Sequence, residues 1–358
     1  MKLVIFGLAV SSSWGNGHAV LWRALIRALA ERGHWTVFFE RDVPYYAAHR
    51  DLTDLAGGRL VLYSDWAETL PEARQEVAGA DAAIVTSYCP DAPAATDLVL
   101  KSPGLRVFYD LDTPVTLAKL SAREPVGYIG EYGLSPFDLV LSYTGGAALP
   151  ALQEQLGARR VAALYGSVDP DRYRPFSSTL TERAALSYLG TYADDRQAAL
   201  NRFFIEPARR RPQAQFILGG AQYPPAFAWT ANIRFLGHLP PDRHPEFYAS
   251  ARLTLNVTRA AMAASGWCPS GRLFEAAACA APIISDWWGG LEDFFEPGRE
   301  ILIASTTEEV LVMLDRDDAE LARTGAAGRE RVLGAHTAAH RAAQLETLLA
   351  DTCRMAEA

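Results

Sequence analysis

Residues 269–285 read PSGRLFEAAACAAPIIS, and residues 289–293 add a glycine loop, GGLED. This pattern predicts a tight Ser-Gly turn, a helix of small residues, a buried strand, and a loop at the carboxyl end of that strand. The turn leaves unpaired backbone N–H groups at the positive end of the helix dipole, which suits a bound diphosphate. Glu275, about one turn into the helix, is placed to accept hydrogen bonds from a ribose.

Short apolar runs alternate with amphipathic helical stretches throughout the chain. The runs are almost continuous in Val, Ile, Leu and Phe, which is typical of parallel strands covered on both faces. The sequence therefore predicts two series of strands in parallel sheets. They are residues 2–7, 36–40, 59–63, 82–86, 105–109, 138–142 and 160–164, followed by 185–189, 215–219, 232–236, 253–257, 282–285 and 301–303.

The length of the chain allows two domains. Its 358 residues, 49% apolar and 21% charged, are enough for two separate cores. Residues 165–178, YGSVDPDRYRPFSS, are the best linker candidate because they are rich in Pro, Gly and Ser. We therefore predict an α/β chain of two doubly wound, Rossmann-like domains, residues 1–168 and 169–334, facing each other across a ligand-binding cleft. A helix at 335–358 is expected to pack back on the first domain.

The net charge of −8 is shared evenly between the two parts of the chain. Residues 1–168 hold 14 basic and 18 acidic side chains, which leaves 20 and 24 of the totals of 34 and 42 for the remainder. Each part therefore carries −4. Neither part offers a surface for nucleic acid.

Targeting and cysteine patterns narrow the class of protein. No apolar run reaches the roughly 18–20 residues that a transmembrane segment needs. The amino-terminal MKLVIF is interrupted too soon by glycine and serine to be a signal peptide, so a cytoplasmic location is expected. The cysteines form no CxxC pair and no Cys/His cluster at metal spacing, so neither a disulfide framework nor a metal site is expected. They are Cys89, Cys268, Cys279 and Cys353.

Several segments resemble parts of one known fold. Residues 12–34 resemble the opening βα unit of GT-B glycosyltransferases, residues 166–175 resemble their interdomain linker, and residues 235–239, FLGHL, resemble the segment before their donor site. With residues 269–293, nearly the whole chain is similar to the sugar-nucleotide glycosyltransferases of family 4, and more closely to the CgeB-like spore-maturation branch. The resemblance implies transfer of a sugar to an acceptor hydroxyl, with retention of anomeric configuration and without a metal ion.

The resemblance also implies the ligands. The donor is a nucleotide sugar used as a co-substrate, with UDP or dTDP expected before GDP, and no other cofactor is expected. The acceptor is a small molecule, a glycan or a protein, and the sequence does not identify it. Aromatic residues of the first domain suit a flat or glycan-like acceptor and suit an ordinary core equally well. These residues are Trp14, Trp22, Tyr45, Tyr46 and Tyr88.

The chain departs from the family 4 pattern at two places. Family 4 enzymes usually carry two glutamates eight residues apart around the donor, and the residue eight positions before Glu275 is Trp267. The family's diphosphate-binding arginine and lysine correspond here to Thr191 and Arg196, which follow Gly190. Arg196 is therefore one expected phosphate-binding cation. Arg272 is expected to supply another through a bidentate guanidinium contact.

The expected donor site combines helix-start backbone, glycine loops and cations. The N–H groups of Ser270 and Gly271, with the two arginines, would stabilise the departing diphosphate electrostatically. A well-capped helix without a ligand is the alternative for residues 269–275, but the glycine loop at matching spacing favours the donor site. The predicted donor-binding residues are Gly17, Gly145, Gly190, Arg196, Ser270, Gly271, Arg272, Glu275, Gly289 and Gly290.

His18 and Asp112 are the candidates for catalysis. His18 is either a base that removes the acceptor proton or a helix-start histidine satisfied by its neighbours. Asp112 follows a predicted strand and is either an acceptor contact or base, or a turn-capping carboxylate before Pro114. With Asp110 it also matches the DxD metal motif of a different glycosyltransferase fold, a match that any two aspartates at this spacing satisfy.

Three other patterns have competing interpretations. Residues 15–20, GNGHAV, lack the third glycine and the strand-end position of a dinucleotide fingerprint, so NAD binding is not expected. His336 and His340, four residues apart, are predicted to share a helix face rather than to bind a metal. Trp287 and Trp288 either stack on a base or sugar or fill the domain core.

Two other functions are compatible with this fold. A nucleotide-sugar 2-epimerase shares the donor site but requires acidic residues around the sugar, and it turns over its donor without an acceptor. A non-catalytic structural or spore-coat protein is the second alternative, because the first family glutamate is missing. Such a protein would bind no sugar nucleotide.

Overall fold

A computed structural model describes residues 1–177 and 183–357 of the chain. Two predicted segments reach beyond these residues by one position each. Ser178, the last residue of the predicted linker, and Ala358, the last residue of the predicted C-terminal helix, lie outside the described residues.

The chain forms two compact units. The first comprises Met1–Tyr165 together with the chain from Ala338 onwards, and the second comprises Gly166–Thr337. The chain therefore leaves the first unit inside the predicted linker and returns to it near the C-terminus.

The first unit is built on a parallel sheet. Its described strands are β1 (Lys2–Gly7), β2 (Trp35–Arg41), β3 (Gly58–Tyr63), β4 (Ala82–Thr86), β5 (Leu105–Asp110), β6 (Leu139–Ser142) and β7 (Val161–Ala163). They pair in the order β3-β2-β1-β4-β5-β6-β7. Its helices before the linker are α1 (Gly17–Glu31), α2 (Pro44–Ala47), α3 (Trp66–Ala78), α4 (Ala92–Val99), α5 (Thr113–Ser121) and α6 (Ala148–Leu156).

Both faces of this sheet are covered, as the continuous apolar runs predict. Successive side chains of a strand point to opposite faces. In β1, Leu3 and Ile5 accordingly lie in one buried cluster, and Val4 and Phe6 lie in another.

The second unit repeats this architecture. Its described strands are β8 (Ala184–Leu189), β9 (Phe216–Gly219), β10 (Ile233–Phe235), β11 (Ala251–Asn256), β12 (Ile283–Ser285) and β13 (Leu302–Ile303). They pair in parallel in the order β10-β9-β8-β11-β12-β13. Its helices are α7 (Gln197–Leu200), α8 (Glu206–Arg210), α9 (His244–Ala249), α10 (Ala260–Ser265), α11 (Gly271–Ala278), α12 (Thr307–Leu314) and α13 (Asp318–Ala335). Single turns of 3₁₀-helix lie at Asp194–Arg196, Pro241–Arg243 and Leu291–Asp293.

The predicted fold class is confirmed, because both units are Rossmann-like with parallel sheets. Every predicted strand is present, and its bounds differ from the prediction by at most two residues. In each sheet the strand order reverses once, between β1 and β4 in the first and between β8 and β11 in the second. Such a switch point, beyond the carboxyl ends of the strands, is where doubly wound sheets bind ligands.

The C-terminal helix α14 (Ala338–Glu357) belongs to the first unit. Its buried stripe, at helical spacing, packs into the same core as α1 and consists of Ala338, Ala342, Leu345 and Leu349. Glu346 forms ion pairs with Arg32 and His34, which follow α1. The hydrogen bonds from these two side chains lower the pKa of Glu346 to about 2.

The prediction that His336 and His340 share a helix face was wrong. His336 caps the end of α13, whereas His340 lies within α14. The backbone between the two helices pairs with the start of the second unit, since the Val168 N–H donates to the His336 carbonyl at 3.1 Å and Val168 bridges to Thr337. This pairing separates the helices, so α14 begins at Ala338 rather than at 335.

Leu345→Ala tests how α14 is held. The side chain is fully buried, so its truncation leaves a cavity and is expected to lower the free energy of unfolding by about 2–4 kcal/mol. Val312→Ala is the control, because Val312 is exposed on α12 and its truncation should change this free energy by less than about 0.5 kcal/mol. Urea denaturation followed by circular dichroism measures both. An unchanged midpoint for Leu345→Ala would contradict the packing.

Candidate functional site

Arg272 lies across the switch point of the second sheet. Its Nε donates to the carbonyl of Leu189 at the end of β8, and its Nη1 donates to Asn256 Oδ1 at the end of β11, at 3.0 Å. Its guanidinium also lies 5.1 Å from the ring centroid of Tyr188. The α11 side chain therefore joins the ends of the two central strands and holds a positive charge between them.

A network behind Asn256 sets the orientation of its amide. Asn256 Nδ2 donates to Ser285 Oγ at 3.0 Å and to Thr258 Oγ1 at 3.3 Å. Thr258 in turn donates through its N–H and its hydroxyl to Asp286, each at 3.0 Å. Burial raises the pKa of Asp286, and the hydrogen bonds from Thr258 oppose this rise. Because the amide nitrogen is engaged, the amide oxygen faces Arg272.

Gly190, a predicted donor-binding residue, allows the guanidinium to approach this closely. A Cβ at Gly190 would lie 2.7 Å from Arg272 Nη2 and 2.8 Å from Tyr188 Oη. Gly220, just beyond β9, has a φ of 150°, and a Cβ there would overlap the Gly190 carbonyl oxygen. Tyr223 donates from its hydroxyl to the same oxygen at 2.9 Å. The ends of β8 and β9 are therefore too close for larger residues.

Arg196, the second predicted cation, lies in the same part of the unit. Its Nη1 donates to the Thr191 carbonyl at 3.1 Å, and its Nε is buried without a hydrogen-bond partner among the described residues. Burial raises the pKa of the Tyr223 phenol, and the charges of Arg272 and Arg196 both oppose this rise. Arg196 donates to the Thr191 carbonyl and Arg272 to the Leu189 carbonyl, so both predicted cations contact the backbone on either side of Gly190.

Neither cation is paired with a carboxylate in the part of the chain that the structure describes. Within the described residues, no carboxylate lies within 4.0 Å of Arg272 or of Arg196, although many arginines of the chain are ion-paired. Arg259, for example, lies 2.9 Å from Asp195. A cation held only by neutral groups retains its full attraction for an anionic ligand.

The start of α11 is open, as the Ser-Gly turn predicts. Ser270 has extended backbone angles at the N-cap and its side chain makes no capping hydrogen bond. A Cβ at Gly271 would meet no atom within 4 Å. The helix therefore offers backbone N–H groups and its positive dipole end beside Arg272, in space that an anion can occupy.

Glu275 lies in a polar cluster that the sequence does not reveal. Its Oε2 is 3.4 Å from the Tyr248 hydroxyl and 3.5 Å from His244 Nδ1. His244 Nδ1 also lies 3.2 Å from the Tyr173 hydroxyl. Burial raises the pKa of both tyrosines, so both phenols stay protonated.

Only one carboxylate oxygen of Glu275 is used in this cluster. Oε1 has no hydrogen-bond partner among the described residues, whereas Oε2 faces Tyr248 and His244. The cluster thus fixes the carboxylate and leaves one oxygen available. The spacing of His244 and Tyr248, four residues apart on α9, is the signal that could have indicated a shared face.

The glycine loop after β12 packs against Trp267. Gly290 has a φ of 84°, and a Cβ there would lie 2.5 Å from Trp267 Nε1. The Trp267 N–H donates to the Gly289 carbonyl at 2.7 Å, and its Nε1 donates to Asp293 at 2.7 Å. Trp267, eight positions before Glu275, is therefore fixed on the loop by its backbone N–H and by its indole N–H.

The two neighbouring tryptophans of this loop have different surroundings. Trp288 is 2% exposed and packs against Phe294 at 5.7 Å between ring centroids. Trp287 is 50% exposed. Trp288 is therefore a core residue, and the structure leaves only Trp287 of the pair for a stacking contact with a ligand.

In the first unit, the structure brings His18 and Asp112 together around Tyr88. The Tyr88 hydroxyl donates to Asp112 Oδ2 at 2.9 Å, and its ring is stacked with the imidazole of His18 at 6.2 Å. These residues follow β1, β4 and β5, so they lie at the switch point of the first sheet. Tyr88 was one of the first-domain aromatics for which the sequence left an acceptor contact and a core position open, and its contact with Asp112 was not predicted.

His18 is the second residue of α1, and its imidazole lies beside the Tyr88 ring. Its backbone N–H donates to Asn16 at 3.0 Å, but its imidazole makes no hydrogen bond to a described residue. Burial lowers its pKa, and the negative charge of Asp112 partly offsets this. Burial therefore favours the neutral form of the imidazole.

Asp112 does not cap the helix that it precedes. It occupies the N-cap of α5, yet its side chain makes no capping hydrogen bond and accepts from Tyr88 instead. Asp110, the other residue of the DxD pattern, is fully buried. Burial raises the pKa of Asp110 to about 6, and its Oδ1 accepts from the Asp112 N–H at 3.1 Å.

Two of the predicted donor-binding glycines belong to the first unit. Gly17 is the exposed first residue of α1, and a Cβ there would meet no atom within 4 Å. Gly145 is buried after β6, where its carbonyl accepts from the Ala148 N–H at 3.2 Å. The other eight predicted donor-binding residues belong to the second unit.

Comparison with known proteins shows which fold this architecture belongs to. Residues 196–347 match a family model described as Glycosyl transferase-like. None of the curated proteins matches the chain. A sucrose-phosphate synthase from Thermosynechococcus elongatus has a similar structure, with a TM-score of 0.72 at 15% identity over 99% of this chain and 100% of that one. This chain has the GT-B glycosyltransferase fold.

Other GT-B structures are similar over the same length. HepE from Anabaena, in complex with UDP and glucose, has a TM-score of 0.70 at 13% identity over 98% of this chain and 100% of that one. The catalytic domain of starch synthase IV from Arabidopsis thaliana, bound to ADP and acarbose, has a TM-score of 0.67 at 13% identity, with coverage of 98% and 99%. At these identities the similarity establishes the fold of the chain.

The described part of this GT-B chain has neither a membrane-spanning helix nor a cluster of metal ligands. No helix there combines the length and the apolar character that crossing a membrane requires. The same residues contain no group of three or more His, Cys, Asp or Glu side chains arranged to hold a metal ion.

Gly290→Ala tests the contact between the glycine loop and Trp267. A methyl group would strain a left-handed backbone and overlap the indole, so we expect a loss of about 1–3 kcal/mol in the free energy of unfolding. Gly271→Ala is the matched control, since its Cβ meets open space and its effect should stay within about 0.5 kcal/mol. Denaturant unfolding measures both. Equal stability of the two variants would contradict this geometry.

The titration of His18 tests its proximity to Asp112. We expect a pKa below the usual 6.5 in the unsubstituted chain. Asp112→Asn removes a negative charge that favours the imidazolium, so it should lower this pKa further. Asp97→Asn, which changes an exposed carboxylate on α4, should leave it unchanged. Histidine NMR resonances followed against pH report all three values, and a higher His18 pKa in Asp112→Asn would refute the arrangement.

Proposed function

We propose that this protein is a glycosyltransferase that moves a sugar from a nucleoside diphosphate sugar to an acceptor hydroxyl. The observation that carries the proposal is the pair Arg272 and Arg196, two cations near one switch point with no carboxylate within 4.0 Å among the described residues. Beside them, α11 presents an open N-terminus. A diphosphate is the ligand that this combination suits best.

The donor would be held by residues on both sides of Arg272. The diphosphate would accept hydrogen bonds from the N–H groups at Ser270 and Gly271 and from the two guanidiniums. The ribose hydroxyls would donate to Glu275, whose Oε1 is available while Oε2 is fixed by Tyr248. Trp287, exposed beside the glycine loop, would stack on the sugar or the base.

These residues would also activate the donor. Breaking the bond between the anomeric carbon and the diphosphate oxygen leaves oxocarbenium character on the sugar and a new negative charge on the diphosphate. Two arginines and a helix N-terminus placed in advance stabilise this charge without reorganisation. Because the protein supplies this positive charge itself, we propose that transfer proceeds without a metal ion and without a cofactor other than the nucleotide sugar.

We propose a UDP-sugar, or a dTDP-sugar, as the donor. Support comes from structurally similar proteins, since HepE was solved with UDP-glucose as well as with UDP and glucose. Starch synthase IV was solved with ADP, so the fold accepts more than one base. A panel of nucleotides is therefore part of the test.

The acceptor would bind the first unit at His18, Tyr88 and Asp112. The neutral imidazole of His18 would contact or deprotonate the acceptor hydroxyl, and Asp112, held by Tyr88, would stabilise the imidazolium.

The resemblance to family 4 and its CgeB-like branch supports retention by attack on the face of the leaving group. A histidine base in line with the sugar would give inversion instead, and NMR of the product distinguishes the two outcomes.

The test is thermal stabilisation by UDP, dTDP, GDP and ADP. A nucleotide at 100 times its Kd adds about 2.7 kcal/mol and should raise the Tm by roughly 5–10 °C. Arg272→Ala should weaken UDP binding by about two orders of magnitude, and Glu275→Gln by about one, because each removes a charge-assisted contact. Arg243→Ala, at an exposed arginine paired with Glu246, should change nothing.

Each alternative function predicts a different result. The proposed donor site would be wrong if no nucleotide stabilised the protein, or if Arg272→Ala bound UDP as well as the unsubstituted chain. Either result would favour a non-catalytic protein. Conversion of a UDP-sugar to its 2-epimer in the absence of an acceptor would identify an epimerase. Release of UDP that increases when an acceptor is added is the result expected of the transferase.

A further inference from the structure

Aromatic side chains, two of them exposed and two half-buried, form a row at the carboxyl ends of β1 and β2 in the first unit. The rings of Trp14 and His49 are stacked, with centroids 4.1 Å apart and planes at 15°. Tyr45 meets Trp14 edge-on at 5.1 Å, and Tyr46 meets Tyr45 edge-on at 4.9 Å. We call these four residues, Trp14, Tyr45, Tyr46 and His49, the aromatic shelf.

The aromatic shelf is not part of the hydrophobic core. Trp22 shows the contrast, since it is 1% exposed and packs edge-on against Phe38 and Tyr109. Tyr45 is 45% exposed and His49 is also exposed, whereas Trp14 and Tyr46 are half-buried and neither belongs to a buried cluster. Contiguous aromatic surface left in water marks a binding site more often than a packing role. The sequence left a core position and an acceptor contact open for the aromatic residues of the first domain. Trp22 fills the core, and the aromatic shelf does not.

The backbone beneath the aromatic shelf is held by a buried carboxylate. Glu40, at the end of β2, accepts from the Val10 N–H at 2.6 Å and from the N–H and hydroxyl of Ser11 at 3.0 and 2.5 Å. Burial raises the pKa of Glu40, and these hydrogen bonds from the loop after β1 oppose the rise. The loop that carries Trp14 is thereby attached to β2.

A second set of contacts joins the same loop to the segment that carries Tyr45 and His49. Ser12 donates from its hydroxyl to the His49 carbonyl at 2.8 Å. The Asp51 N–H donates to the Ser11 carbonyl at 3.1 Å, and the Asp51 carboxylate is paired with Arg23 at 2.6 Å. The rings are therefore preorganised by polar contacts below them, which lowers the entropy cost of binding a ligand.

The aromatic shelf continues to the proposed acceptor site. Trp14 lies in the loop after β1 and His18 in the first turn of α1, where Asn16 caps the helix by accepting from the His18 N–H at 3.0 Å. The strand order β2-β1-β4-β5 places the shelf and the pair Tyr88 and Asp112 along one edge of one sheet. A ligand with its reacting hydroxyl at His18 can extend along this edge over the shelf.

We propose that the aromatic shelf binds a pyranose ring of a saccharide acceptor, so that the acceptor of the proposed transferase is a glycan. A pyranose has an apolar C–H face that packs on an aromatic ring, and its rim hydroxyls remain in contact with water and with phenol groups. An open shelf suits a ring that stays half hydrated, whereas an apolar aglycone requires an enclosed pocket.

The charges around the aromatic shelf agree with a neutral ligand. The nearby arginines are neutralised by the protein, Arg23 by Asp51 at 2.6 Å and Arg50 by Asp42 at 2.5 Å. Burial raises the pKa of Tyr46, and Tyr45 and Glu40 add to this rise, so its phenol remains an uncharged donor. This surface contrasts with the uncompensated arginines of the proposed donor site, which suit an anion.

The test uses the full chain on an array of immobilised oligosaccharides built from hexoses, N-acetylhexosamines and uronates, with and without UDP. Sugar-free phenols and long-chain alcohols are displayed alongside. We expect binding to a subset of the oligosaccharides and not to the sugar-free alcohols. The best oligosaccharide is then titrated by calorimetry. Trp14→Ala should weaken its Kd about tenfold or more, and Trp14→Phe, which keeps a stacking ring, by less than about threefold.

Trp35→Ala is the matched control. Trp35 is 50% exposed at the amino end of β2, the opposite edge of the same sheet. Its replacement should leave saccharide binding unchanged, and UDP binding should be unchanged in all three variants. Three results would overturn the proposal that the aromatic shelf binds a saccharide. They are equal losses of saccharide affinity in Trp14→Ala and Trp35→Ala, binding of sugar-free alcohols alone, and UDP binding without saccharide binding. This proposal rests on the proposed function, and failure of UDP to bind the unsubstituted chain would instead overturn that function.

Discussion

The hydrogen bonds of Arg272 to Leu189 and Asn256 place a permanent positive charge at the reversal of strand order in the second sheet. The features around it follow from this placement. Gly190 and Gly220 lack side chains because a Cβ at Gly190 would meet the guanidinium and one at Gly220 would meet the Gly190 carbonyl. The amide of Asn256 is oriented by a hydrogen-bond network so that its oxygen faces the cation. A half-buried charge held only by neutral groups is unfavourable in the empty protein and favourable once an anion is bound.

The two units use their switch points differently. In the second unit, the residues there are cationic, and no carboxylate of the described residues is paired with them. In the first unit, the switch point holds a neutral histidine, a tyrosine and a carboxylate that are already in contact. The arrangement in the second unit suits a ligand that carries negative charge. The arrangement in the first unit suits a group that gives up a proton. The same fold thus supplies two chemical environments, because the loops after equivalent strands carry different residues.

Trp267 lies where the family 4 pattern that the sequence resembles has a glutamate. The usual glutamate would present a carboxylate near the sugar, whereas the indole packs on Gly290 and is held by Asp293. Any sugar bound here would meet an aromatic ring and the backbone of the glycine loop on that side. Donor selection would then depend on shape and stacking more than on a charged hydrogen bond to the sugar hydroxyls.

The sequence by itself determined the elements of this protein. Continuous apolar runs predict every strand to within two residues, since a buried parallel strand requires them, and the Ser-Gly turn predicts the open start of α11. Glu275 and the two arginines could be proposed because a motif carries them. The partners of these residues could not. Tyr88, Tyr173 and His244 belong to no motif, and their roles come from contacts between distant parts of the chain.

Only the tertiary structure decided which side chains meet. Arg272 and Leu189 are 83 positions apart in the chain, and they touch because β8 and β11 pair side by side. His336 and His340 are four apart, and they lie on different helices because Val168 pairs with the backbone between them. Trp14 and Trp22 have the same chemistry, and only burial separates a core residue from the aromatic shelf. Contacts of this kind depend on strand order and sheet pairing, which separation along the chain does not encode.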